Sequence, residues 1–540
     1  MKSLSLKSPD TYIINWYRKL SSTVKTAFYS AVILGLFAHL YQFTNKLYNY
    51  DELANTPGGI GLSTEQGRWL LNWMGRFMRS VFGGSYSLPF FNGIFALLFL
   101  ALSAALVVST LKIKNQLTAV LVGGLMVVFP AVVSMYFFMF LALYYAVGIF
   151  FSVLAAWLIA RPCRTIKGAV FSNAAGVVLI ACSLGTYQAY FPNTVCILLM
   201  VAILKAAFGG VTDKKQWKSF FLMVLRFLGM MAAGLILYFI INRVVLHVTG
   251  ISLISYQGGD TMGKITPEQL VESIKRCYVS AFQLNFTDVM GLNYSRTVQR
   301  IIKAVYLLFG AGIGAYLFLK PREYVNKIIV VCGFAVFPIA MFLIYVMAPT
   351  SYCYTLMAYP VVFLFVFFMV WSEEVYRHIR QAELVGLVVS WISALSMAAL
   401  VVIYIWYANG NYMALEYTKY HDFAYYQTMV TQIKSVDGYN DDMPVIIVGE
   451  GVYDNTNSMG SLIGDTFIVG GKTDANVAYN SVLYILSDYL GFSPYYGTYE
   501  EIRSWMERDE VREMPSYPDD GSIQVIDGTI IVKLSDYSLE

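Results

Sequence analysis

The residue types best suited to chemistry fall between Asn49 and Arg79, in the run NYDELANTPGGIGLSTEQGRWLLNWMGRFMR. Asp51 and Glu52 are adjacent carboxylates, and either could take a proton from a hydroxyl. Neighbouring residues usually point different ways, so one of the two, Asp51, is the favoured base. Glu52 is then expected to position it or to bind acceptor hydroxyls. Arg68, Asn72, Arg76 and Arg79 follow at three-and-four spacing, which puts them on one face of a helix. Guanidinium groups in such a row can clamp a phosphate through charge-assisted hydrogen bonds. A base beside such a clamp suits transfer from a phosphate leaving group.

The elements that must position these groups can be read from the same stretch. Thr56-Pro57-Gly58-Gly59 is a turn-forming run. Ser63 stands three residues before Gln66, the spacing of a capping box, so a helix is expected to start there. Leu70, Leu71, Trp73, Met74, Phe77 and Met78 make the rest of that helix apolar, and its place is at a membrane interface. The plain alternative is that these acids and arginines are only solvated anchors beside a span.

The chain as a whole supports a membrane setting. Its 540 residues are 57% hydrophobic and 13% charged, with a mean hydropathy of +0.57. That balance excludes a soluble multidomain protein and indicates a polytopic membrane protein. The net charge of +4 is spread among loops and gives no basis for nucleic-acid binding. Lys2, Lys7, Arg18, Lys19 and Lys25 precede a first apolar run that lacks a small-residue cleavage site, so it reads as a retained span. Cys163, Cys182, Cys196, Cys277, Cys332 and Cys353 are scattered and read as buried free thiols, with a Cys277–Cys353 bridge as the alternative. His39, His247, His378 and His421 join no cluster at ligand spacing, so no structural zinc site is expected.

Apolar runs long enough to cross a hydrocarbon core of about 30 Å lie near Thr26–Phe43, Ser85–Leu111, Leu117–Phe137, Met139–Ala160, Gly168–Tyr187, Phe191–Phe208, Phe220–Leu246, Ile301–Leu319, Ile328–Met347, Tyr354–Val370 and Leu384–Trp406. With the amino terminus cytoplasmic, every short inside loop is basic, from Lys112 and Lys114 through Arg161, Arg164 and Lys167 to Arg377 and Arg380. The short outside turns near Ser134, Ala189 and Pro349–Ser351 contain no Lys or Arg, which is the asymmetry that sets topology. Two long loops, 44–84 and 247–300, then face outward. The second includes TPEQLVESIKRCYVSAFQL, expected as another interfacial helix. Arg243, Arg296 and Arg300 flank it and join Arg68 and Arg76 as candidates for a donor phosphate.

The fold class that follows is an all-α polytopic membrane domain over residues 1–407 with an extracytoplasmic α/β domain over 408–540. In the latter, a helix is expected near Phe423–Val436, a buried strand in MPVIIV, a helix over Val477–Leu490, and a hairpin over Ile523–Leu534 turning at Asp527-Gly528. The GEG after the strand is too short for a dinucleotide fingerprint and reads as a turn.

An acidic motif in the first outer loop, a GRW-containing interfacial helix, many spans and an outer carboxyl-terminal domain together resemble the GT-C-type glycosyltransferases. Within these the chain resembles the bacterial Gtr-type glucosyl transferases that modify O-antigen and related surface polysaccharides. The local matches are YDE at Tyr50–Glu52, GRWL at Gly67–Leu70, SLGTYQAYF at Ser183–Phe191, and Met514-Pro515-Ser516-Tyr517-Pro518 with GSIQVIDGTIIVKLS. The resemblance implies transfer of a sugar, glucose first among them, from a polyprenyl-phosphate-sugar donor to a polysaccharide acceptor outside the bacterial plasma membrane. The first-loop acid would be catalytic. It carries over Asp51, Glu52 and Arg68, and with less weight Tyr187 and Gln188; Tyr190 beside them is a further candidate for sugar or acceptor contact. An aromatic interfacial belt is the bland account of those tyrosines, and an interhelical hydrogen bond that of the glutamine. One departure is the turn Ala348-Pro349-Thr350-Ser351-Tyr352, where some members carry a basic residue. No cofactor is implied, although two acids and a lipid phosphate could coordinate a divalent metal. The competing readings are a lipid-sugar flippase or transporter, which would place ionisable residues deep in the spans, and a glycan-binding scaffold, which would need far fewer spans.

Overall fold

The computed structural model describes residues 8–55, 59–84, 86–286, 296–319, 324–378, 383–449 and 479–537. Short amphipathic α1 (Pro9–Lys19) precedes α2 (Ser22–Thr44), whose start is capped by the Ser21 hydroxyl accepting the Val24 N–H. The chain continues through α3 (Tyr50–Ala54), α4 (Trp69–Phe82), α5 (Pro89–Leu111), α6 (Gln116–Val128), α7 (Pro130–Phe137), α8 (Met139–Ala160), α9 (Ile166–Thr186), α10 (Phe191–Phe208) and α11 (Lys214–Thr249). Then come α12 (Pro267–Phe286), α13 (Arg296–Leu319), α14 (Tyr324–Met341), α15 (Ile344–Met347), α16 (Val362–His378) and α17 (Glu383–Ser435). Eleven helices among the described residues are long and apolar enough to cross a membrane, and they match the eleven apolar runs in order. The carboxyl-terminal region is a small α/β unit, so the fold class is the expected one.

Three departures from the sequence pattern have local causes. The third span is split, because Phe129 leaves the helical conformation and Pro130 opens α7 at its first position, where its missing N–H costs nothing. The helix after Ser63 starts later than the capping-box spacing suggests. Thr64–Gln66 form one 3-10 turn, Gly67 follows with φ 74°, and α4 begins at Trp69. The Ser63 side chain caps nothing. Finally, α17 runs without interruption through positions 407 and 408, a helix of 53 residues and about 80 Å. Asn409 and Asn411, which could have ended it, donate their side-chain amides to the Ile405 and Tyr407 carbonyls one turn back.

Near its end α17 meets the small sheet, ordered β1 (Val445–Val448), β3 (Thr529–Lys533), β2 (Ile523–Ile526). β1 runs parallel to β3, and β2–β3 is the expected hairpin, with Asp527 at φ 48° and Gly528 at φ 76°. Tyr48 and Leu53 of the first loop are buried in the same core as Tyr426, Met429, Ile433, Val445 and Ile447. α3 is thereby fixed against the carboxyl-terminal region. Of the GEG turn only Gly449 is described; Glu450 and Gly451 lie outside the described residues, as do Thr56, Pro57 and Gly58 of the first loop.

Close helix approach positions α4. At Gly185 an added Cβ would lie 2.4 Å from the Trp69 ring, and Trp69 is buried against that gap at 3% exposure. Gly185→Val is expected to displace Trp69 and cost roughly 1–3 kcal/mol of overpacking. The measurement is the thermal midpoint in detergent, together with transfer activity, since α4 carries Arg68 at its start. Unchanged values for both would show that α4 docks by other contacts.

Candidate functional site

A cavity of about 580 Å3 lies at the end of the bundle where the first loop, the α7–α8 turn, the α9–α10 turn and residues 256–262 meet. Asp51 and Arg68 both line it. The first loop is tied down by its neighbours: Gln188 Nε2 donates to the Gln66 carbonyl at 2.7 Å, Tyr238 Oη to the Gly67 carbonyl at 3.2 Å, and the Ile254 N–H to the Glu65 carbonyl at 3.0 Å. Gly67 must be small there, since a Cβ would sit 2.6 Å from the Tyr238 hydroxyl on a left-handed backbone.

Arg68 stands just before α4, its guanidinium 4.5 Å from the centre of the Tyr187 ring. Its Nε is buried with no hydrogen-bond partner among the described residues. Tyr187 in turn stacks on Tyr145 at 4.9 Å, and Tyr256 and Tyr354 complete an aromatic lining. Asp51 is half-buried, and no described cation pairs with it. Burial therefore raises its carboxyl above the ordinary value of 3.8, with no bond to offset it.

The adjacent acid has a different fate. Glu52 is fully buried and faces away from the cavity lining. Its Oε1 takes Lys46 Nζ at 2.7 Å and the Ser87 hydroxyl, and its Oε2 accepts the Phe140 N–H at 3.1 Å. It thus fastens α3 to the segment after α2, to the residues just before α5 and to the start of α8, and in doing so sets the position of Asp51. Breaking a fully buried pair costs roughly 3–5 kcal/mol. Lys46 keeps 30% of its side chain exposed, so Glu52→Gln is expected to fall below that range, at about 2–3 kcal/mol. Thermal unfolding in detergent checks it, and a midpoint equal to that of the parent would remove this latch.

The remaining sequence candidates are dispersed. Gln188 and Tyr187 line the cavity, whereas Tyr190 is buried behind Tyr187 and Tyr145. Arg76 is exposed on α4 and donates to Asn72 at 3.0 Å. Arg243 on α11 and Arg296 and Arg300 on α13 are exposed and do not line the cavity. Sequence reasoning did not single out Arg276 on α12, which reaches the Pro349–Ser351 turn. It donates to the Pro349 and Ser351 carbonyls and lies 4.1 Å over the Tyr345 ring. The turn without a basic residue is therefore held by one from another loop. Its only signal was an arginine on the amphipathic 267–286 helix, and nothing in the sequence pairs that helix with this turn.

Cys277 and Cys353 are both buried free thiols, so the alternative of a bridge is set aside. Among the described residues no three His, Cys, Asp or Glu side chains gather as a metal site. A family model described as glucosyl transferase GtrII matches residues 40–365. That range takes in every residue lining the Asp51 cavity and ends before α17 and the sheet. No curated protein matches the chain.

Proposed function

Because the chain belongs to the GtrII glucosyl transferase family, we propose that the Asp51 cavity moves glucose from a polyprenyl-phosphate donor to a hydroxyl of a surface polysaccharide. The reaction is placed on the extracytoplasmic side of a bacterial plasma membrane, the orientation given by the basic loops. The observation that carries this reading is a desolvated carboxylate that no described cation pairs and a guanidinium whose buried Nε has no partner among the described residues, both lining one aromatic cavity.

The chemistry is a single displacement. Asp51 takes the proton of the acceptor hydroxyl as its oxygen attacks the anomeric carbon. The bond from that carbon to the phosphate oxygen breaks, and its electron pair leaves with polyprenyl phosphate. Arg68 stabilises the charge that builds on the departing phosphate. Tyr187, backed by Tyr145, holds the Arg68 guanidinium, and Tyr256 and Tyr354 of the same lining offer aromatic contact to the sugar. With Glu52 occupied, Asp51 is the one acid among the residues lining the cavity, so it serves as base and the anomeric configuration inverts.

The test is reconstitution of the purified chain in vesicles with polyprenyl-phosphate glucose and isolated surface polysaccharide, followed by NMR of the new linkage. Inverted glucosyl product and free polyprenyl phosphate are expected. Transfer from a nucleotide sugar without any lipid donor, or retention of configuration, would overturn the assignment. So would transbilayer movement of the donor with no transfer, the outcome expected of a flippase.

A further inference from the structure

A second cavity, of about 520 Å3, lies at the other end of the bundle, between the ends of α8, α10 and α11. Lys205, which lines it, is roughly 21 Å along α10 from Phe191 at 1.5 Å per residue, so most of a hydrocarbon core separates it from the Asp51 cavity. Arg226 lines it too, and its Nη2 donates to the Ile159 carbonyl at 2.9 Å. Its Nε is buried and has no hydrogen-bond partner among the described residues. A guanidinium has five N–H donors and accepts nothing, so one carbonyl leaves it largely unanswered beside Phe220, Leu222 and Met223. The Lys205 stem lies over Gly209, where a Cβ would come 2.6 Å from Lys205 Cδ. Gln216 and Ser219 add polar groups to the wall, and no residue lining it is acidic. Asp213, the nearest acid in sequence, is occupied as the cap of α11 and accepts the Gln216 N–H at 2.8 Å. Exposed Arg161, Arg164, Lys214, Lys215 and Lys218 each lie within two residues of a lining residue in sequence and add further positive charge to this end of the bundle. Beside it, Leu222 and Leu225 are 56% and 65% exposed on the face of α11 that acyl chains would cover.

We propose that this cavity binds the phosphate headgroup of an anionic phospholipid from the leaflet opposite the Asp51 cavity, with Lys205 and Arg226 on the phosphate oxygens and the acyl chains against Leu222 and Leu225. A basic pocket between helices with an apolar flank recognises the lipid form of a phosphate, because both parts of the ligand are answered at once.

The full chain is purified from phosphatidylcholine vesicles doped with phosphatidylglycerol, and the lipid retained is counted by native mass spectrometry. The parent is expected to retain phosphatidylglycerol selectively. Each cation near the headgroup is worth about fivefold, so Lys205→Gln lowers retention about fivefold and Lys205→Gln with Arg226→Gln about 30-fold. Lys205 is exposed, and its single variant keeps the test clear of folding defects. Unchanged retention in Lys205→Gln, or no preference over phosphatidylcholine in the parent, would overturn the proposal and leave Arg226 as a cap on α8. Displacement of the lipid by inorganic phosphate would overturn the lipid assignment in favour of a free phosphate.

Discussion

Asp51→Asn lowers glucosyl transfer by about 10²–10⁴-fold, the range that a positioned general base supplies. The substitution keeps the shape of the side chain and removes its ability to take a proton. No described cation pairs with the Asp51 carboxylate, so the fold loses no ion pair with it, and the defect should fall on kcat rather than on donor binding. The pH dependence separates this role from a purely structural one. Burial holds the carboxyl above 3.8, and the base must be ionised to act, so the rate climbs as pH rises through that raised value. The acid limb of the parent profile should therefore lie above where an ordinary aspartate would put it, and it should vanish in the Asn variant. Stability runs the other way. A folded-state value above the unfolded one means that protonation favours the folded state. The contribution is fully present below the unfolded value and is lost as pH rises through the folded one. At neutral pH the Asn variant should thus be as stable as the parent or slightly more so. An Asn variant that transfers at the parental rate would remove Asp51 from the chemistry.

That the two acids of YDE part company could be anticipated but not resolved from sequence. Adjacent residues on a short helix project in different directions, which is why one base was expected. Which one depends on Lys46, Ser87 and the Phe140 N–H, whose meeting around Glu52 joins positions as distant as 52 and 140. The spans were legible because an unbroken apolar run of sufficient length has few alternatives in a chain this hydrophobic. The 407–408 boundary marks where composition turns polar. Composition and helix continuity differ there, since α17 carries its tyrosines, asparagines and charged residues on beyond the apolar stretch as one helix. The arginines divide for a similar reason. Three-and-four spacing joined Arg68 to Arg76 on one face, but Gly67 breaks the helix before Arg68, leaving it at the start of α4 and beside Tyr187 while Arg76 points to solvent. Periodicity gives the face of a helix only from where the helix begins.

Arg68→Ala is expected to cost about 10²–10³-fold in transfer, comparable to removing one preorganised donor aimed at developing charge. Arg68 lines the cavity with its Nε unpartnered among the described residues, and it directly precedes the fourteen-residue α4, whose start adds partial positive charge at the same point. A phosphate leaving group gains charge as its bond to the sugar breaks, so the interaction strengthens in the transition state and kcat should fall with it. Arg68→Lys should recover little. An ammonium keeps the charge but loses the planar fork and its stacking on Tyr187. Tyr187→Leu isolates the stacking term: a cation–π contact of roughly 0.5–2 kcal/mol predicts a loss of about 2–30-fold with the guanidinium still present. The three variants are ranked by steady-state transfer with polyprenyl-phosphate glucose, and binding of polyprenyl phosphate is measured alongside. A lysine variant as active as the parent would reduce Arg68 to a point charge, and an alanine variant with parental kcat would move the phosphate elsewhere in the cavity.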